Sequence, residues 1–428
     1  MSFNLSAYLK ARDEMRAILS DKMIPFWLDR SVDDVYGGYL TSFDERGLTD
    51  GDDRKYVVTQ SRMLWGFSAL VDFARPEDRS RMEAAARQGA RFFIDRFWDK
   101  EFGGFYWQLN RDGTVRDPAK LVYGESFAIY AVSEYARVYG DAEALEYATR
   151  AFELLQVYAA DTQNGGYLEN LERDYSPSPG GAFAGDRKSL DIHMHLMEAF
   201  TTLYLAGRKE ITARKLREVT GLIHEKMMDR ERGFGFNQFD LKFHKLPAID
   251  IARTWNAERA KGETIETPTD TTSYGHNAEL SWLMDLALDA LGADKSPYEP
   301  AMKKLLDHTL SCGFDWEYGG VYRDGVADGP ALVTDKEWWQ NFESMVGFAN
   351  GLVRYGDGRC GEALLKTWEF IKNHFLDPEL GESHQLLRRD GSVLVGNLGN
   401  PWKGIYHTGR ALSECVKRLD TLIQEKDQ

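Results

Sequence analysis

The chain has 428 residues, 43% of them apolar and 13% aromatic, a core-forming composition that excludes a disordered protein. Its formal net charge of −15 argues against nucleic acid or an anionic membrane surface as partner. At a length above the roughly 250–300 residues where a single core stops growing, the chain is either two domains or one domain built from repeats.

The N-terminus, "MSFNLSAYLKARDEMRAILSD", is charged and amphipathic and lacks the apolar core of a secretory signal. No window approaches 18 consecutive apolar residues, so no membrane span is expected. Cys312, Cys360 and Cys415 are too few and too scattered for a disulfide framework or a zinc motif. A reducing cytoplasm is the expected location, and a monomer or homodimer the expected assembly.

Taken in order, the chain repeats its punctuation. Gly-Gly followed by an aromatic or aliphatic residue occurs in "YGGYLTSFDERG" (36–47), "FGGFYWQLNRDG" (102–113), "NGGYLENLERD" (164–174) and "YGGVYRDG" (318–325). Weaker versions are "RGFGFNQFD" (232–240) and "LGESHQLLRRDG" (380–391). Each predicts a short hairpin, with glycines at left-handed backbone angles, alternating aromatics and a polar turn. Most intervals are about 62 to 69 residues and one is about 85.

Two helical stretches fit between successive hairpins. "SFAIYAVSEYARVYG" (126–140) and "DAEALEYATRAFELLQVYAA" (141–160) carry apolar residues three and four apart. Gly140 is placed to cap the first and Asp141 to open the second. Six hairpins and about a dozen helices predict an all-α fold of six helical pairs closed into a toroid, each pair adding a layer of core. An open solenoid is the alternative.

In a closed ring the inner helices run parallel, so their N-termini gather positive dipole ends and unpaired N–H groups at one mouth. Such a pocket favours an anion or an anionic transition state. The second helix of each pair is expected to open on it. Those openings read "QSRMLWGFS" (Arg62), "VYGESFAIY" (Tyr123, Glu125), "LDIHMHLMEAF" (Asp191, His193, His195), "SYGHNAELSW" (His276, Glu279, Trp282), "EWWQNFESM" (Trp339, Glu343) and "PWKGIYHTGRA" (Trp402, His407). Four of the nine histidines fall here, while His224, His244, His308, His374 and His384 are scattered. That phasing points to one site.

His276 and Glu279 are three apart and Trp339 and Glu343 four apart, so each pair shares a helix face. A carboxylate beside an imidazole fixes its tautomer and raises its basicity, and indole faces suit sugar rings. His193 and His195 point to different sides of a helix, and His195 is taken as the one in the pocket. Trp65 and Trp338 are read as core, and a simple ion pair is the blander reading of Arg62. The set His193, His195 and Glu198 lacks HExxH spacing, so no metal is expected. No phosphate loop or dinucleotide glycine motif precedes a helix, so no nucleotide cofactor is expected.

The phrases "SRMLWGFS", "VYGESFAIYAVSEY", "HMHLMEAF", "SYGHNAELSWLM", "EWWQNFESMVGF" and "WKGIYHTGRA" resemble the N-acylglucosamine 2-epimerase superfamily, most closely its cellobiose 2-epimerase and mannose 2-epimerase branch. The resemblance spans nearly the whole chain. It implies an (α/α)6 barrel as one catalytic domain over 1–428 and sugar epimerisation without cofactor or metal. It further implies that His276 and His407 move the C2 proton on opposite faces of a ring-opened aldose. Arg62 would stabilise the enediolate and His195 assist ring opening, while Glu279 and Glu343 tune the histidines. Tyr123, Asp191, Trp282, Trp339 and Trp402 would hold the sugar.

Two departures stand out. Asp191 replaces the family's usual asparagine, and a longer loop, 245–272, enters the helix of His276 and is expected at the pocket mouth. The expected substrate is a small sugar, with D-mannose/D-glucose first and the reducing end of cellobiose second. Mannose–fructose isomerisation uses the same groups. A glycoside hydrolase using Glu279 and Glu343 and a non-catalytic sugar-binding protein are the readings from other classes.

Overall fold

The structure, a computed structural model, describes residues 5–178, 187–246, 271–327 and 329–427. Its helices are α1 (Leu5–Ile18), α2 (Ile24–Arg30), α3 (Val57–Ala69), α4 (Pro76–Phe92), α5 (Val122–Tyr139), α6 (Ala142–Leu154), α7 (Leu190–Gly207), α8 (Glu210–Leu222), α9 (Tyr274–Leu291), α10 (Glu299–His308), α11 (Trp338–Tyr355), α12 (Gly358–Phe370) and α13 (Ile405–Asp427). The odd-numbered helices from α3 to α13 each pack on the next, and α13 packs back on α3. The ring is therefore closed, and the open solenoid is set aside. Helices α4, α6, α8, α10 and α12 cover the inner helix before them, and α1 covers α13, so the start of the chain seals its end.

The two layers differ in how they bury themselves. In α11 every residue from Trp338 to Leu352 is buried, as an inner helix walled on all sides requires. Outer helix α8 buries only a stripe, with Thr212, Ala213, Leu216, Val219 and Thr220 inside. Gly140 caps α5 in the left-handed region at φ 68°, and Asp141 accepts the Ala144 N–H at 3.0 Å, as the sequence predicts. Every outer layer ends in one widened turn of π geometry, at residues 19–23, 93–97, 155–159, 223–227, 309–313 and 371–375. Among the described residues no helix is long and apolar enough to cross a membrane.

The hairpins follow from one repeated clasp. An aspartate (Asp33, Asp99, Asp161, Asp315) accepts backbone N–H groups two and three residues on, and Gly-Gly at positive φ closes the turn. Two residues before each of five inner helices stands a fully buried lysine. Lys55, Lys120, Lys188 and Lys336 reach Asp33, Asp99, Asp161 and Asp315 at 2.7–3.3 Å. In the sixth repeat Glu382 stands where the second glycine would, and Lys403 pairs with it at 3.0 Å. This explains the weak Gly-Glu version of the motif.

Neither Lys403 nor Glu382 has any side-chain exposure, so breaking the pair strands a buried charge. Lys403→Met is expected to lower unfolding free energy by about 3 kcal/mol, read by denaturant titration. A loss under about 1 kcal/mol would mean that the Trp27 and Thr408 bonds to Glu382 suffice.

One expectation needs revision. The helix that opens on the site is the first after each hairpin, not the second of the pair. The strand that leads into it pairs with the next repeat's hairpin, as Lys55–Tyr56 does with Gln108–Leu109, and this ties the inner helix directly to the hairpin layer. Of the 245–272 loop expected at the pocket mouth, residues 247–270 lie outside the described residues.

Candidate active site

The inner helices are in register with one another. Their sixth residues are Arg62, Phe127, His195, Glu279, Glu343 and Arg410. Second and third residues, one turn earlier on the same face, include Tyr123, Asp191, His276, Trp339 and His407. These positions meet at a cavity lined by Arg62, Tyr123, His195, His276, Glu279, Trp338, Trp339 and His407.

Fourth residues point elsewhere, at the hairpins. Gln60, Glu125, His193, Asn277 and Asn341 accept the backbone N–H of Tyr39, Phe105, Tyr167, Gly235 and Val321 at 2.7–3.0 Å. His193 is thus a structural member of that series. Its Nδ1 donates to the Ser189 carbonyl and its Nε2 accepts from Tyr167, and burial pushes its pKa down to about 4. His193→Gln, which supplies the acceptor Gln60 supplies, is expected to keep sugar turnover within about threefold of wild type. A loss matching that of His195→Asn would contradict this reading.

The three pocket histidines have different partners. His407 Nδ1 lies 2.8 Å from Glu343 Oε1. That oxygen also accepts from Arg410, so the hydrogen lies on Nδ1 and Nε2 keeps the lone pair. Burial, with Arg62, Arg410, His195 and His276 adding positive charge, holds the His407 pKa well below the imidazole range. His195 has carboxylates on both nitrogens, Glu198 at 3.0 Å and Asp191 at 3.2 Å. Burial opposes its charge, yet these two bonds raise its pKa to about 9. His276 Nε2 lies 3.4 Å from the same Asp191 oxygen. Burial again opposes charge, but Asp191 and then Glu279 raise its pKa. Asp191 stays ionised well below the usual carboxylate range because the two imidazoles outweigh its burial.

Arg62 makes no ion pair among the described residues. Its Nη2 donates to Tyr123 Oη at 3.3 Å, Nη1 donates to the Trp402 carbonyl, and the guanidinium lies over Phe127 at 4.6 Å. Nε has no acceptor among the described residues. A buried, uncompensated cation with a spare donor suits an oxyanion. Trp339 lies against both His276 and His407, with ring centroids at 4.6 and 5.8 Å.

Trp402 neighbours Tyr123, its ring 6.5 Å away. Trp282 is 1% exposed and lies over Arg410 at 4.9 Å, which removes it from the sugar-holding group: six residues past His276 is about 240° around a helix. Trp338, read as core, lines the cavity, because a first-turn side chain leans back toward the helix start. Trp65 stacks on Tyr130 inside the barrel.

Beneath the cavity lies a cluster that sequence reasoning missed. Arg410, 1% exposed, donates to Glu198, Glu279 and Glu343. Tyr406 Oη donates to both Glu198 oxygens at 2.6 and 2.8 Å. Glu279, Glu343 and His407 bring possible metal-ligand atoms within 4.8 Å of one another, but a guanidinium already lies against both carboxylates, so a metal cation there would meet a fixed positive charge. Two carboxylates sharing one guanidinium are also ill placed to flank a glycosidic oxygen.

Fold and pocket together define a closed helical barrel with a histidine-rich cavity at one mouth. Residues 38–411 match the N-acylglucosamine 2-epimerase (GlcNAc 2-epimerase) family, and the chain belongs to that family. A cellobiose 2-epimerase of Bacteroides fragilis is 31% identical over 416 residues, 95% of this chain and 98% of its own length. The solved cellobiose 2-epimerase of Bacillus thermoamylovorans superimposes with a TM-score of 0.84 at 24% identity, covering 96% of this chain and all of that one. A D-mannose isomerase does so with a TM-score of 0.78 at 21% identity, covering 96% and 97%. At those identities the two structures bear on the fold, an (α/α)6 barrel. The protein is an isomerase-class enzyme, a carbohydrate epimerase.

Proposed function

We propose that the protein is an aldose 2-epimerase that interconverts free D-mannose and D-glucose, with His276 and His407 as its proton-transfer pair. The observation that carries this is the opposite bias of two imidazoles in one cavity. His407 is held neutral and His276 favours its protonated form. Inversion at carbon needs just such a base on one face and an acid on the other.

The steps follow. His195, with a proton on each nitrogen, donates one to the ring oxygen as the bond from C1 to that oxygen breaks, and the C1 hydroxyl gives its proton to water, which leaves an aldehyde at C1. His407 Nε2 removes the C2 proton, and the electron pair moves onto the C1 oxygen, giving a cis-enediolate. Arg62 holds that oxygen by charge and its spare Nε donor. His276 returns a proton to C2 from the other face, with Trp339 between the two imidazoles as platform. No metal or cofactor enters these steps. Unpaired, buried Cys360 and Cys415 fit a cytoplasmic enzyme.

The second reading, cellobiose as substrate, is favoured by the 31% identity to a cellobiose 2-epimerase. Incubating the protein with mannose, glucose or cellobiose in heavy water tests both. Deuterium at C2 of glucose made from mannose, faster than at the reducing end of cellobiose, is the expected result. Fructose as the main early product would replace epimerisation by aldose–ketose isomerisation.

A further inference from the structure

The cluster under the cavity has a connectivity that its separate members do not reveal. Glu198 is bonded to His195, Glu343 to His407, and Glu279 stands one turn after His276. These carboxylates come from α7, α11 and α9, and all three converge on one guanidinium from α13. We propose that Arg410 is a positioning residue that ties two histidine–carboxylate pairs, His195–Glu198 and His407–Glu343, and the Glu279 carboxylate one turn after His276 into one unit, so that the protonation of His195, His276 and His407 is set together. This inference rests on the epimerase reading for its kinetic consequences.

The physical case is one of number. A single positive charge serves three buried carboxylates, so the charge each presents to its neighbouring imidazole depends on how the other two share the guanidinium. Glu343 shows the imbalance: despite Arg410, burial and neighbouring Glu279 push its pKa well up. Arg410 itself is sandwiched between the Trp282 ring at 4.9 Å and the Tyr406 ring at 4.1 Å, which fixes the plane of its fork. The other groups facing the unit are Arg62 from α3, Tyr130 from α5 and Asp191 from α7. Arg410 does not line the cavity, so it acts through the imidazoles and not on sugar.

Arg410→Lys and Arg410→Met, in the full chain, test this by two readouts. In the first, kcat for C2 exchange is expected to fall about 100-fold or more in Arg410→Met, with KM within about threefold. The acid limb of its pH profile should move to higher pH, because the His407–Glu343 pair loses a neighbouring cation. Arg410→Lys keeps the charge without the planar fork; it should keep the acid limb and lose at least about tenfold in kcat. If Arg410→Met does not fold, Arg410→Lys carries the test.

The second readout is the histidine NMR titration of nitrogen-15-labelled protein without sugar, where Glu198→Gln should move the His407 resonance in wild type and less in Arg410→Lys. Wild-type kcat and acid limb in a folded Arg410 variant, or a Glu198→Gln effect identical in both backgrounds, would overturn the proposal. Absence of C2 exchange in the wild type would defeat the epimerase reading instead, leaving the titration to decide the role of Arg410.

Discussion

Replacing His407 or His276 by asparagine is expected to stop inversion at C2 and to leave each variant able to wash the proton from one epimer only. The argument is geometric. With both imidazoles present, one takes the proton and the other returns it on the opposite face. With His276 gone, a sugar whose C2 hydrogen meets His407 still forms the enediolate and recovers a solvent-exchanged hydrogen from the same side. The other epimer meets no base. His407→Asn should show the reverse preference. Each positioned acid–base group is worth about 10²–10⁴-fold, so residual inversion should fall by at least that factor. Deuterium incorporation into unreacted mannose and glucose, followed separately, is the measurement. Inversion within about tenfold of wild type in either variant removes that histidine from the pair.

Much of this arrangement was legible before any coordinates, because the repeat is written in residues that backbone geometry demands. Gly-Gly at positive φ and the period of the hairpins gave the ring. The inner-helix openings then placed Arg62, Tyr123, His195, His276, Glu279, Trp339 and His407 around one cavity. What stayed hidden depends on contacts between helices far apart in sequence. Arg410 comes three residues after His407, yet its partners Glu198, Glu279 and Glu343 lie 67 to 212 residues away. Aligning the sixth residues of the inner helices would have exposed it. His193 and Glu125 shared the phasing of the site without belonging to it, since the fourth position satisfies a hairpin N–H in five of the six repeats. Part of the periodicity first read as catalytic is therefore a folding clasp.

Asp191 gives the other large effect, on the pH profile. One of its oxygens lies 3.2 Å from His195 and 3.4 Å from His276, and it is a main reason both imidazoles hold protons above their ordinary range. In the direction in which His407 takes the C2 proton, activity needs His407 neutral and His276 protonated. The acid limb therefore belongs to His407, below its ordinary pKa, and the alkaline limb to His276, above its own. Asp191→Asn removes the carboxylate that stabilises the imidazoliums, so the alkaline limb should move down by about one pH unit. As His195 and His276 shed charge, His407 is depressed less, and the acid limb should rise. The bell narrows from both sides, and the loss at pH 8.5 should exceed the loss at pH 7. Two flanking imidazoliums offset the aspartate, which is how an anionic side chain is tolerated beside a forming enediolate. In Asp191→Asn an unmoved alkaline limb, with wild-type activity at pH 8.5, would assign the proton on His276 to some other group.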